Sequence, residues 1–135
     1  MPQKLSYDLN IFNETKKNTY FRQVLFTGDR SQLVVMDIKP GEDIGSETHP
    51  HTEQTLFLLS GEGKSILNGV EKPFRAGDVV VVTPGTEHDF VNTGKESLKI
   101  FTIYAPPNHI DGRIHKTKQD AVDDVADEEF GNRVL

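Results

Sequence analysis

The stretch GEDIGSETHPHTEQTLFLLSG, residues 41–61, reads as a short polar strand, a proline-containing turn and a longer apolar strand. Residues i and i+2 share one face of a strand, so Glu47 and His49 point the same way. His51 joins them only if the strand runs on past Pro50, which cannot donate to a ladder and sits in a segment, PHTEQ, of turn character. The apolar run TLFLL begins directly after Gln54, so Gln54 opens the returning strand. The junction ETHPHTEQ, residues 47–54, thus gathers two histidines, two glutamates and a glutamine, and its H-x-H is the obvious metal-binding pair for a motif search to select.

Outward from this junction, residues 20–104 run as short β-type segments: YFRQVLFT, SQLVVMDI, QTLFLLS, KSILNG, DVVVVT, HDFVN and LKIFTIY. Turn segments containing Gly, Pro, Asn or Asp separate them. This spacing predicts an all-β sandwich or barrel and not βαβ units. Asn68-Gly69 predicts a two-residue hairpin turn, with positive φ at both positions, joining KSIL to VEKPF. Only the tail reads as helical. In KQDAVDDVADEEF the apolar Val122, Val125, Ala126 and Phe130 recur at helical spacing, which predicts one short C-terminal helix with a solvated acidic face. The preceding APPNHIDGRIHKTK cannot be a central strand because of its paired prolines. It is expected to lie as an arm over the barrel, with His109 and His115 making surface or packing contacts or capping a cavity mouth. The chain, 1–135, reads as one domain with a barrel core at about 20–105 and the arm and helix at 106–135.

Composition narrows the chemistry. The absence of cysteine excludes disulfides and thiolate sites, so a bound metal must use nitrogen and oxygen ligands. A net charge of −6 argues against a nucleic-acid partner, whose binding relies on clustered Lys and Arg, and leaves a small molecule as the expected one. No apolar run approaches the ~18 residues of a membrane span. The N-terminal MPQKLSYDLNIF lacks an apolar segment with a cleavage site, so a cytoplasmic location is expected.

Two spaced motifs in this sequence resemble those of the cupin family of small β-barrel or jelly-roll proteins. The family's first motif is G-x5-H-x-H-x3,4-E-x6-G. Placing His49 and His51 on its histidines leaves Asp43 where glycine belongs and only two residues between His51 and Gln54. Placing Glu47 and His49 there gives Gly41, EDIGS, Glu47, Thr48, His49, PHTE, Gln54, TLFLLS and Gly61, with every interval correct. The second motif, G-x5-P-x-G-x2-H-x3-N, follows as Gly77, DVVVV, Thr83, Pro84, Gly85, TE, His88, DFV and Asn92, with only the proline displaced by one position. The chain also looks like small bacterial single-domain cupins, some loosely labelled as resembling mannose-6-phosphate isomerase.

The resemblance implies an all-β, single-domain cupin barrel and places Glu47, His49, Gln54 and His88 around one divalent transition metal: Fe, Mn, Ni, Co or Zn. Relative to the family, a glutamate stands at the first histidine and a glutamine at the glutamate, so the carboxylate is moved and not lost. His51 is then a residue of the pocket rim and Glu53 a surface charge. The implied activity is that of an isomerase-like or dioxygenase-like enzyme on a small oxygen-rich ligand such as a sugar phosphate, hydroxy acid or enediol, with Glu47, if unligated, or His51 as candidate catalytic base. The alternative is a metal-containing module that binds or senses such a ligand without turnover. Pairing of N-terminal strands across a two-fold axis, common in the family, implies a homodimer.

Overall fold

The computed structural model describes residues 6–133. Residues 1–5, part of the stretch inspected above for an export signal, and 134–135 lie outside the described residues. A short helix α1 (Ile11–Lys17) precedes β1 (Arg22–Thr27), β2 (Gln32–Ile38), β3 (Glu47–Thr48), β4 (Glu53–Ser60), β5 (Glu62–Leu67), β6 (Val70–Arg75), β7 (Val79–Val82), β8 (Glu87–Asn92) and β9 (Leu98–Ala105). The chain ends in β10 (Ile114–His115), α2 (Lys118–Asp123) and α3 (Val125–Arg133). All pairings are antiparallel, in a six-stranded sheet ordered β10-β1-β2-β9-β4-β7 and a four-stranded sheet ordered β3-β8-β5-β6.

The core draws on both sheets. Val34, Met36, Ile38, Leu56, Leu58, Leu98 and Ile100 come from the larger and Phe74 and Phe90 from the smaller, all fully or almost fully buried. Alternation produces this packing, as in β8, where His88, Phe90 and Asn92 are buried and the residues between them are not. The Asn68-Gly69 turn forms as expected, with φ of 48° and 80° and Leu67 opposite Val70.

A glycine inside β5 holds the smaller sheet together. A Cβ on Gly63 would lie 2.1 Å from the backbone oxygen of Val91 on β8, a clash no side-chain movement relieves. Gly63→Ala is expected to destabilise the protein by about 1–3 kcal/mol through forced separation of β5 and β8. Urea titration of the two proteins checks it, and an unchanged midpoint would refute it.

Two expectations about helices need correction. The helix α1 was not expected, because its seven residues are too few for local pattern to show. It is capped by Asn10, whose side chain accepts from the Asn13 N–H, and it covers the outer face of the larger sheet, with Phe12 edge-on to Phe101. Lys99 ties it down, reaching both the Asn18 carbonyl (2.6 Å) and the buried Asp37 (2.7 Å). The C-terminal helix is two helices, broken at Asp124, the first started by a capping box of Thr117 and Asp120. Its buried face is also not the apolar stripe: Val122 and Val125 are 60 % and 59 % exposed, while Asp127 and Gly131 are buried. Asp127 turns inward because hydrogen bonds to the arm outweigh its desolvation. The arm itself contributes β10, which adds an edge strand beside β1.

Candidate metal centre

Glu47 stands on β3 directly opposite His88 on β8, and the loop after β3 carries His49 back over both. That loop is held by the Gly85 N–H donating to the His49 carbonyl (2.9 Å), and the approach to β3 by the Gly45 N–H donating to Asp89 (3.0 Å). One ligand atom each from Glu47, His49 and His88 falls within 4.8 Å of the others. The two imidazoles have centroids 5.0 Å apart.

The hydrogen bonds leave the ligand atoms free. His88 Nδ1 donates to the Thr86 carbonyl (2.9 Å), so the proton sits on Nδ1, and the buried Nε2 has no hydrogen-bond partner among the described residues. His49 Nε2 lies 3.2 Å from Glu47 Oε2, an ion-pair contact between two of the clustered residues, and makes no other polar contact among the described residues. The Thr102 hydroxyl on β9 donates to the Thr55 carbonyl on β4, so it must accept from the Gln54 Nε2 group. That fixes the Gln54 amide and leaves its buried Oε1 without a partner. Such orphaned acceptors would each cost about 1–3 kcal/mol, and the clustered donor set of two imidazoles and a carboxylate is of a kind that suits a cation.

Protonation states agree. Burial pushes the Glu47 carboxyl up, but the adjacent His49 imidazole and the Arg22 guanidinium outweigh it and bring its pKa down to about 2. Burial also lowers His88, which favours the neutral, ligating imidazole. His51, in the turn between β3 and β4, and Glu53, the first residue of β4, are exposed. His51 is not among the residues lining the adjoining cavity.

That cavity, of about 410 Å³, is lined by Glu47 and His49 at one side and by Arg22, Asn108, His109 and Asp127, among others, elsewhere. Of these, His109 was expected in the arm, with capping of a cavity mouth as one of its alternatives, and Arg22, Asn108 and Asp127 did not stand out in the sequence. The one available signal was Arg22, an arginine two positions before Val24 and so on the inward face of a strand. His109 is 5 % exposed and donates through Nδ1 to Asp127 Oδ2 (2.7 Å). A second acidic and histidine group, His115, Asp124 and Asp127, lies equally close, but its atoms are already taken by Arg22, Arg113, His109 and Ile110. It fastens the arm.

His109 makes the fold sensitive to acid. Burial lowers its pKa to about 4, helped by the charge of Arg22 and opposed by Asp127 and Glu47. The groups facing it are Arg22 from β1, Glu47 from β3, Tyr104 from β9 and Asp127 from α3. With an ordinary value of 6.5, the unfolded chain binds the extra proton between about pH 4 and 6.5, so stability rises with pH across that window and is lost as pH falls. The group is worth roughly 2–3 kcal/mol over that range. His109→Gln is expected to give a shallower fall of Tm on acidification than the wild type, and equal slopes would remove His109 as the source.

Two packed antiparallel sheets with histidine and carboxylate side chains converging beside a cavity define a β-barrel protein with a candidate metal centre. The family model described as a cupin domain matches residues 34–104, and the chain belongs to the cupin family. It is 42 % identical to the Bacillus subtilis protein YrkC over 84 % of this chain and 64 % of that one, so it spans somewhat less than two thirds of that relative. The crystal structure of BH2720 from Bacillus halodurans superposes with a TM-score of 0.84 at 38 % identity, covering 86 % of this chain and 92 % of that one. An oxalate-binding protein from Thermotoga maritima is 32 % identical over 50 % of this chain and 56 % of its own length.

Proposed function

We propose that Glu47, His49 and His88, with Gln54 Oε1 as a neutral fourth donor, hold one divalent transition metal, and that a small oxygen-rich ligand binds it in the cavity. The convergence of three ligand atoms within 4.8 Å, with the buried His88 Nε2 unpartnered among the described residues, carries this reading. When bound, the metal supplies Lewis-acid polarisation of the ligand's oxygens. Glu47 and the two imidazoles set its charge and orientation, Thr86 and Thr102 fix His88 and Gln54, and the arm carrying His109 shields the cavity from water. A sugar phosphate, hydroxy acid or enediol fits such a centre, and turnover would be isomerase-like or dioxygenase-like. The likeness to an oxalate-binding protein supports a second reading, ligand binding at the same centre without turnover.

Elemental analysis of protein purified without a histidine tag is expected to find about one Mn, Fe, Ni, Co or Zn per chain, with Tm rising when metal is added to stripped protein. No stoichiometric metal, with no such rise, would refute the centre. Assays on aldose and ketose phosphates, and O2 consumption with catechols and diketones, then separate enzyme from binding module.

A further inference from the structure

The cavity is lined by a buried cation, Arg22, whose Nε–Nη2 edge makes no hydrogen bond within normal limits among the described residues. Arg22 is 3 % exposed, and its Nη1 donates to His115 Nδ1 at 3.3 Å. His115 can accept there because its Nε2 donates to Asp124 (2.8 Å). Arg22 Nη2 lies 4.0 Å from Glu47 Oε1, too far for a hydrogen bond. Both Nε and Nη2 are buried with no hydrogen-bond partner among the described residues. These two N–H groups form the side of the guanidinium that matches the two oxygens of a carboxylate. The Tyr104 hydroxyl, kept protonated by burial, lies beside the same guanidinium.

Near it stands a buried acceptor. Because His109 Nδ1 carries its proton toward Asp127, His109 Nε2 offers a lone pair, and it too has no partner among the described residues. An unpartnered acceptor of this kind takes a hydroxyl group and repels a bare carboxylate. Charge sets a further limit. A metal dication and Arg22, set against Glu47 and Asp127, leave a single positive charge, which suits a monoanion better than a phosphate dianion.

Building on the metal centre above, we propose that the cavity's ligand is a small hydroxy acid, its carboxylate held by the Nε–Nη2 edge of Arg22 and its hydroxyl by Nε2 of His109. This selects one of the three ligand classes the centre admits. Arg22 is a binding residue, and Asp127 acts through His109 as a positioning residue.

The test uses the full chain, metal-loaded and EDTA-treated, titrated calorimetrically with lactate, gluconate, propionate, propane-1,2-diol and glucose 6-phosphate. Lactate or gluconate is expected to bind at least about tenfold tighter than propionate, which lacks the hydroxyl, and the neutral diol and the phosphate more weakly still. Arg22→Lys keeps the charge but not the fork and is expected to weaken hydroxy-acid binding by about tenfold or more, with metal content and far-UV CD unchanged. His109→Leu is expected to erase the preference for lactate over propionate. Tightest binding of the diol or of glucose 6-phosphate, binding of none of the five, or full affinity in folded Arg22→Lys would each overturn the proposal. Elemental analysis of the same samples separates the two readings. Stoichiometric metal with the wrong ligand preference overturns the hydroxy acid alone. Absence of metal overturns the centre, and the EDTA-treated titrations then still report whether Arg22 takes a carboxylate.

Discussion

Glu47→Ala is expected to abolish stoichiometric metal binding while His51→Ala leaves it intact. Glu47 is the only carboxylate among the three clustered ligand residues, its pKa is held at about 2, and it lies opposite His88 in the sheet register, so no side-chain rearrangement supplies a substitute. Changing the groups that hydrogen-bond to a metal's ligands typically costs about 10–100-fold in affinity, so loss of a charged ligand should cost more than about 100-fold. His51, two residues further along the same H-x-H, is exposed beyond Pro50, and its removal touches none of the ligand atoms. Competition with a chelating dye measures both variants. Metal retained by Glu47→Ala and lost by His51→Ala would reverse the assignment.

Asp127→Ala is expected to cost about 2–5 kcal/mol, because it leaves two buried donors without acceptors. Asp127 Oδ2 receives His109 Nδ1 and Oδ1 receives the Ile110 N–H, each at 2.7 Å, and the residue is 4 % exposed. For a chain of this size the loss corresponds to a Tm drop on the order of 10 °C. Asp123→Ala on the same tail is the control: Asp123 is exposed and, among the described residues, accepts only from Gln119, so a change within about 0.5 kcal/mol is expected. Thermal melts of the two variants compare them directly. Equal and small losses would show that the arm is not fastened through Asp127.

Much of the site was legible because its residues lie on regular strands at fixed intervals. The step from Glu47 to His49 and the return at Gln54 follow from alternation and turn spacing, whereas the choice of these residues and of His88 rests on the resemblance to the cupin motifs, and the structure brings Glu47, His49 and His88 into one cluster. Gln54 is buried, its side-chain oxygen without a hydrogen-bond partner among the described residues. The other half of the cavity was not legible. Arg22, His109 and Asp127 lie far apart in sequence, and the acidic tail that carries Asp127 reads as a solvated helix face. Its inward turn depends on where the arm lies, which no local pattern encodes.

The sequence by itself therefore determined the barrel and the Asn68-Gly69 hairpin, since hydrophobic period and turn chemistry are local and repeat along each strand, while the candidate ligands came from the spacing of its cupin-like motifs. The tertiary structure alone decided that α1 exists, that the tail buries an aspartate in place of its valines, and that the cavity holds an arginine edge and a histidine acceptor without partners. These features depend on the balance between desolvation and pairing for groups brought together by the fold, and that balance is set only when the arm closes over the sheet.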